Sequence, residues 1–179
     1  MDKVHGLSLT GNWETPPALI ADLAPLFHWD LDACASRPNV CKCFYSPLQN
    51  GLDLPWRGLV WLNPPYGRIR HIDAWMQRAQ LSGQAAGTTV VSLPPARTCT
   101  RWWQDNVPFA DLVVFIRGRL KFVLPPVAGQ AAPRLYPSPF PSAFVVFGEL
   151  YAAQVEKLCS YGWPVFPQYR HSAYVDKEN

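Results

Sequence analysis

No stretch of the 179 residues approaches the roughly 20 consecutive apolar residues that span a bilayer, so no transmembrane helix is expected. The first thirty residues also lack a basic segment followed by an apolar run, which argues against a secretory signal. No CxxC pair occurs among the five cysteines, Cys34, Cys41, Cys43, Cys99 and Cys159, and their spacing forms no even disulfide framework. Reduced thiols in a cytoplasmic protein are the simplest reading. Cys34, Cys41 and Cys43 lie close together, but a second pair of ligands is missing and no metal is expected. A large excess of charge is absent too. The net charge of +3 permits a nucleic-acid partner without arguing for one, since dedicated basic binding domains usually show a pI above about 9. There are no internal repeats.

What is present is apolar residues (49%) with few charges (16%), a balance that supports a buried core and counts against disorder. The length suits one compact domain. We expect a single domain over residues 1–170 and a disordered tail over 171–179. Nineteen prolines and eight tryptophans stand out. That much proline implies extended loops and short elements rather than a helical bundle.

Apolar runs bounded by turn residues alternate with amphipathic stretches, the signature of a layered α/β fold. Pro16–Leu26 reads as a helix with Thr15 as N-cap. Ile69–Leu81 reads as a second, its stripe made of Ile69, Ile72, Trp75, Met76 and Ala79. Thr100–Asn106 is a short third. Strands are expected over Trp29–Cys34, Leu59–Leu62, Thr88–Leu93, Leu112–Ile116 and Ala143–Phe147. This order predicts a mostly parallel sheet with helices on both faces, in which ligands bind at the carboxyl ends of the strands. Asp32, Asn63 and Pro94 all fall at such ends and should converge on one crevice. Pro125–Pro141, carrying Arg134, Tyr136 and Phe140, is long for a plain connection and reads as a functional or a mobile loop.

Leu62-Asn63-Pro64-Pro65-Tyr66-Gly67 directly follows a predicted strand. Two prolines there could simply end the strand, but the residues also suit a specific chemistry. An exocyclic aromatic amine is a poor nucleophile because its lone pair is delocalised into the ring. Accepting hydrogen bonds from both its N–H groups draws the nitrogen toward tetrahedral geometry and frees the lone pair. The Asn63 side-chain oxygen and the Pro64 carbonyl supply two acceptors, and the prolines Pro64 and Pro65 hold them in place before substrate arrives. Tyr66 offers an aromatic face to a base swung out of its stack. The motif alone does not say whose nitrogen is methylated. Adenine N6, cytosine N4, an RNA adenine and a protein glutamine all present the same group, and a catalytically silent binding module is a further reading that intact Asn63 and Tyr66 argue against.

Other peptides surround the motif in order: Trp13-Glu14-Thr15-Pro16, Leu31-Asp32-Ala33-Cys34-Ala35, Asn39, Asn50-Gly51-Leu52, Trp56, Trp102-Trp103 and Gly118-Arg119-Leu120-Lys121-Phe122. Together with Asn63-Pro64-Pro65-Tyr66-Gly67 they resemble the small phage and prophage DNA N6-adenine methyltransferases (the Dam-like family), roughly over residues 10–148. The resemblance implies a compact, trimmed, Rossmann-like sheet with no separate target-recognition domain and S-adenosylmethionine as methyl donor. It also implies double-stranded DNA as partner and action in the bacterial cytoplasm, with evasion of host restriction as one purpose. The cofactor would be met by Trp13, Thr15, Pro16, Asp32, Ala33, Ala35, Asp53, Leu54 and Asn63. Asp32 suits the methionine ammonium. Thr15, at a helix N-terminus, suits its carboxylate. Asp53 and Leu54 suit the adenine amine and ring. Two departures stand out. The glycine-rich turn of larger adenine methyltransferases (F-x-G-x-G) is replaced by Asp32-Ala33-Cys34-Ala35, and only about twenty residues separate Asp32 from Asp53, too few for the usual two βα units. The residue that holds the ribose therefore stays open, as do the recognised DNA sequence and the oligomeric state.

Candidate DNA contacts are the cations near these peptides. Arg68 and Arg70 flank the catalytic turn, and Arg97, with Arg101, follows Pro94-Pro95. Arg119 and Lys121, with Arg117, follow a strand and would share a face by alternation, and Arg134 lies in the proline-rich loop. Such contacts position a duplex more than they read it. Trp102 and Trp103 read as core and surface-wedge residues, and His71 as a helix-surface residue.

Overall fold

Alternation along short apolar strands decides the architecture. The structure, a computed structural model, describes residues 13–35, 40–66, 72–124 and 134–167, the side chains of Leu124 and Arg134 excepted. Its strands are β1 (Leu31–Asp32), β2 (Gly58–Leu62), β3 (Thr88–Ser92), β4 (Leu112–Ile116), β5 (Lys121–Leu124), β6 (Arg134–Pro137), β7 (Ala143–Phe147) and β8 (Gly162–Val165). Its helices are α1 (Pro17–Leu23), α2 (Ile72–Gly83), α3 (Arg101–Asn106) and α4 (Ala152–Cys159), with a 3-10 turn at Val107–Phe109.

Six strands form one sheet in the order β1-β2-β3-β7-β4-β8, and β5 and β6 form a separate hairpin. Successive side chains of a strand point to opposite faces, so an apolar strand covered on both sides feeds two cores. Trp61, Val91, Val114, Phe144 and Val146 pack on one face with Leu23 of α1 and Leu158 of α4. Val60, Leu62, Val90, Val113, Val145 and Phe147 pack on the other with Trp75 and Met76 of α2 and Trp103 of α3. Helices therefore cover both faces, as the pattern predicts. Trp103 is core and Trp102 half-buried beside it.

The pairing departs from the expected arrangement in one respect. β1, β2 and β3 are parallel neighbours, whereas β7 runs antiparallel between β3 and β4, and β8 is antiparallel to β4. Four strands share a direction and two oppose it. Buried parallel and buried antiparallel strands carry the same apolar composition, so the sequence pattern does not separate them.

Smaller corrections follow from local chemistry. The N-cap of α1 is Pro16 rather than Thr15, and the helix ends at Leu23 in a turn rather than running to Leu26. β1 is only two residues long, but residues 43–45 run along its outer side, Asp32 N–H donating to Cys43 O and Tyr45 N–H to Asp32 O. Arg117, Arg119 and Lys121 do not share a strand face, because the chain turns at Gly118 (φ 78°) and Lys121 opens the separate hairpin. The part of the proline-rich segment that is described includes β6, paired antiparallel with β5. Helix α4 and strand β8 escaped the periodicity reading. The proposed tail lies outside the described residues.

Gly83 ends α2 against the central strand β7. A Cβ built there would lie 2.4 Å from Phe147 Cβ and 2.5 Å from its carbonyl oxygen. Gly83→Ala should therefore lower the urea midpoint at unchanged m-value, with a loss of about 1–3 kcal/mol from overpacking. An unchanged midpoint would contradict this close approach.

Candidate active site

Parallel strands bring their carboxyl ends to one edge, and the register says which residues meet there. Asp32 ends β1 in register with Trp61, two positions before Asn63, and Leu62 is in register with Ser92. Ala33 N–H donates to Trp61 O at 3.0 Å and Leu93 N–H to Leu62 O at 2.8 Å, extending both pairings past the strand ends. Asp32, Asn63 and Pro94 thus stand at the carboxyl ends of three neighbouring parallel strands, Asp32 two positions behind Asn63 in register.

Asn63 is 9% exposed, and its amide is held at both ends. Its Nδ2 donates to Trp13 O at 2.5 Å, and its Oδ1 accepts from the Tyr66 hydroxyl at 2.5 Å. A backbone carbonyl only accepts, so Trp13 fixes which end of the amide faces it. The same Tyr66 hydroxyl lies 2.5 Å from Leu93 O at the end of β3. Burial pushes the phenol well above its usual range, so the group keeps its proton and acts as a donor. Pro64 and Pro65 are buried in the link between Asn63 and Tyr66.

The Tyr66 ring is only 8% exposed, which corrects the picture of a freely offered aromatic face. Its faces and edges are set by Phe122 of β5 and Phe140, both edge-on with centroids 6.0 and 5.2 Å away. The same two phenylalanines meet the Trp13 ring edge-on at 5.9 Å each. What remains open of Tyr66 lines a cleft of about 660 Å³ between α2 and α3.

Asp32 is a buried carboxylate, 3% exposed, with no cationic partner among the described residues. Desolvation raises its pKa to about 7 against the lowering effect of the Cys34 N–H, which donates to Oδ1 at 3.2 Å. Such a group is matched by a ligand that brings a cation. Thr15 is buried, and its Oγ1 accepts from Trp61 Nε1 at 3.1 Å, which leaves the hydroxyl proton for another acceptor. Pro16 and Pro17 carry no N–H, so the start of α1 offers fewer free amides than its position suggested. Ala33 and Ala35 are buried beside Asp32.

Asp53 is exposed in the turn 50–53, with Asn50 Nδ2 donating to its carboxylate at 2.5 Å. The turn stands against the end of β1, because a Cβ at Gly51 would come within 2.2 Å of Ala33 O. Glycine is the residue that lets the two backbones approach this closely. The Leu54 carbonyl accepts from Arg78 Nη2 at 2.9 Å.

The candidate DNA cations do not share one surface. Arg97 lines the α2–α3 cleft, with its guanidinium 5.5 Å from the Phe140 ring. Arg119 and Lys121 border a different, largely apolar groove of about 850 Å³ between α1, the hairpin and Tyr161. Arg68, Arg70, His71 and the side chain of Arg134 lie outside the described residues. Phe122, the Leu93 carbonyl and the role of Gly51 were missed from sequence. Only Phe122 left a signal, as the last residue of Gly118-Arg119-Leu120-Lys121-Phe122.

A protein-family model described as DNA N-6-adenine-methyltransferase (Dam) matches residues 7–153. The chain belongs to the Dam family. Membership implies DNA adenine-N6 methyltransferase activity, and the matched span includes every described residue of the crevice. A comparison with curated proteins finds no match. Among the described residues, no helix is long and apolar enough to cross a membrane, and no group of three or more His, Cys, Asp or Glu is disposed to hold a metal.

The Asp32 pKa gives this Dam-family chain a specific pH dependence. The folded value is raised above the unfolded one, so folding favours the protonated form. This contribution to stability is complete below about pH 4 and is lost as the pH rises toward 7. Asp32→Asn should therefore be more stable than the parent without ligand at about pH 8, by a few kcal/mol at most, with the advantage vanishing near pH 4. Urea denaturation across that range measures it, and a difference that does not change with pH would contradict the assignment.

Proposed function

We infer that this chain transfers a methyl group from S-adenosylmethionine to N6 of adenine at specific sites in double-stranded DNA, acting as a single methyltransferase domain over residues 1–170. The observation that carries the reading is the Asn63 amide, pinned between Trp13 O and the Tyr66 hydroxyl at the carboxyl edge of the parallel strands of a Dam-family chain.

The chemistry follows from what the chain's own groups are able to do. Asn63 Oδ1 has a second lone pair, which accepts one N–H of the target amine, and the Pro64 carbonyl accepts the other. Rotating the amide would set Oδ1 against Trp13 O, acceptor facing acceptor, so the useful orientation is present before substrate binds. With both N–H groups bonded, the nitrogen lone pair is released from the ring. S-adenosylmethionine, when bound, supplies a methyl group on a positively charged sulfur. The amine nitrogen forms the new bond as that carbon–sulfur bond breaks, and one amine proton then leaves to solvent. No base is required beforehand.

Residues around the crevice suit the donor. The Asp32 carboxylate, uncompensated among the described residues, fits the methionine ammonium, and the Thr15 hydroxyl proton fits the carboxylate. Trp13, Pro16, Ala33 and Ala35 supply apolar walls. Asp53 and Leu54 would meet the adenine end, a reading supported by the contact of their turn with Ala33 through Gly51. For DNA we assign Arg68, Arg70, Arg97, Arg119, Lys121 and Arg134 to the backbone, with Arg97 the best supported because it lines the cleft beside Tyr66. Action in the cytoplasm on phage DNA, protecting it from restriction, completes the reading.

Labelled methyl donor and unmodified duplex DNA, followed by digestion to nucleosides, test this directly. The expected product is N6-methyladenine, and methylcytosine or no incorporation would overturn the reading. Asn63→Ala should lose about 100-fold or more in kcat, the scale seen when one preorganised polar contact to the reacting group is removed, while still binding the methyl donor. Full activity in that variant would refute the role given to Asn63.

A further inference from the structure

The α2–α3 cleft contains more chemistry than the methyl transfer uses. It begins at Tyr66, the only described residue of the catalytic motif that lines it, and continues along Gln77 and Gln80 of α2 and Arg97, Trp102 and Asp105 on the opposite side. Its volume of about 660 Å³ is in the usual range for a site that holds one small organic group.

The polar groups facing it select a kind of ligand. Gln77 and Gln80 are three apart on α2, so they project from neighbouring positions of one helix face. Neither side chain has a hydrogen-bond partner among the described residues. An amide presents donor and acceptor side by side, the pattern that matches the edge of a nucleobase. Trp102 adds a half-buried indole on the facing wall. Charge at the cleft is balanced, since Asp73 and Asp105 line it with Arg97 and Arg101, and Arg101 Nε lies 3.3 Å from the Asp105 carboxylate. A purely anionic ligand is therefore poorly matched. Arg97 is different: it has no carboxylate partner among the described residues and rests over Phe140, beside Tyr66. A cation and two amides without partners among the described residues, together with an indole, make a site for a planar base with a single attached phosphate.

We propose that the α2–α3 cleft receives the nucleotide adjoining the target adenine on the methylated strand, with Gln77 and Gln80 reading its base edge and Arg97 meeting its phosphate. This rests on the DNA adenine reading above. It makes the cleft a determinant of site preference. The amides read, and the cation positions.

The test uses the full chain, S-adenosylmethionine and plasmid DNA. Methylated adenines are mapped for the parent, for Gln77→Ala, for Gln80→Ala and for the double variant, with kcat and KM measured on a duplex carrying the parent's preferred site. Alanine suits a helix surface, so the fold should be retained. The double variant should lose about tenfold in kcat/KM at the preferred site, mainly through KM, and should accept other bases at one position beside the adenine. Methyl-donor affinity should stay within about twofold of the parent, because the cleft lies outside the donor site. An unchanged site preference in the double variant would overturn the proposal, as would a parent with no preference at the flanking positions. Uniform loss at every site with weakened donor binding would also overturn it, by marking a structural role. A parent that makes no N6-methyladenine would instead remove the functional reading itself, and this proposal with it.

Discussion

The Asn63 side chain is the point on which the crevice depends. One amide links three parts of the chain that are distant in sequence: the segment around Trp13, the end of β2 and, through the Tyr66 hydroxyl, the end of β3. The Trp13 link is a hydrogen bond between buried groups, and the single Tyr66 hydroxyl proton is shared between two buried acceptors, Asn63 Oδ1 and Leu93 O, in a setting where an unmade bond costs far more than a made one contributes. The arrangement is therefore self-enforcing, since displacing any one partner strands the others. The segment at Trp13 is itself anchored away from the crevice, because Glu14 pairs with Val123 of the hairpin in both directions. The orientation of the Asn63 amide is thus set by an element outside the main sheet.

That linkage gives the hairpin a purpose. Phe122 and Phe140 touch both Trp13 and Tyr66 edge-on, so the Tyr66 ring and the residue whose backbone orients Asn63 share the same two neighbours. Ser138 holds Phe140 in place, its hydroxyl donating to Phe140 O and accepting from Phe140 N–H. Edge-to-face contacts have a preferred geometry as well as buried area, so they fix orientation as well as position. Removal of the aromatic edge from either phenylalanine would loosen two contacts at once.

Asp32 poses the opposite problem, a buried carboxylate held without a cation among the described residues. A structure built only for stability would replace it by a neutral residue. Keeping it leaves the fold with a cost at neutral pH that a bound cation would relieve. The described cations lie on two surfaces: Arg97 lines the cleft beside Tyr66, and Arg119 and Lys121 border the apolar groove at α1.

Much of this was readable in the residues alone. Five apolar runs foretold β1, β2, β3, β4 and β7, and the stripe Trp75, Met76, Ala79 foretold the buried face of α2, because burial on a periodic element leaves a periodic trace. The placement of Asn63-Pro64-Pro65-Tyr66 directly after a buried strand was also readable, because prolines and a strand end limit what the backbone does there. Tertiary structure alone decided the rest. The antiparallel insertion of β7, the partners of Asn63, the enclosure of the Tyr66 ring and the cleft that brings Gln77 opposite Trp102 all join residues far apart in the chain. Composition and periodicity record what each segment buries but not which distant segment buries it, and the aim of a catalytic group is a property of its distant partners.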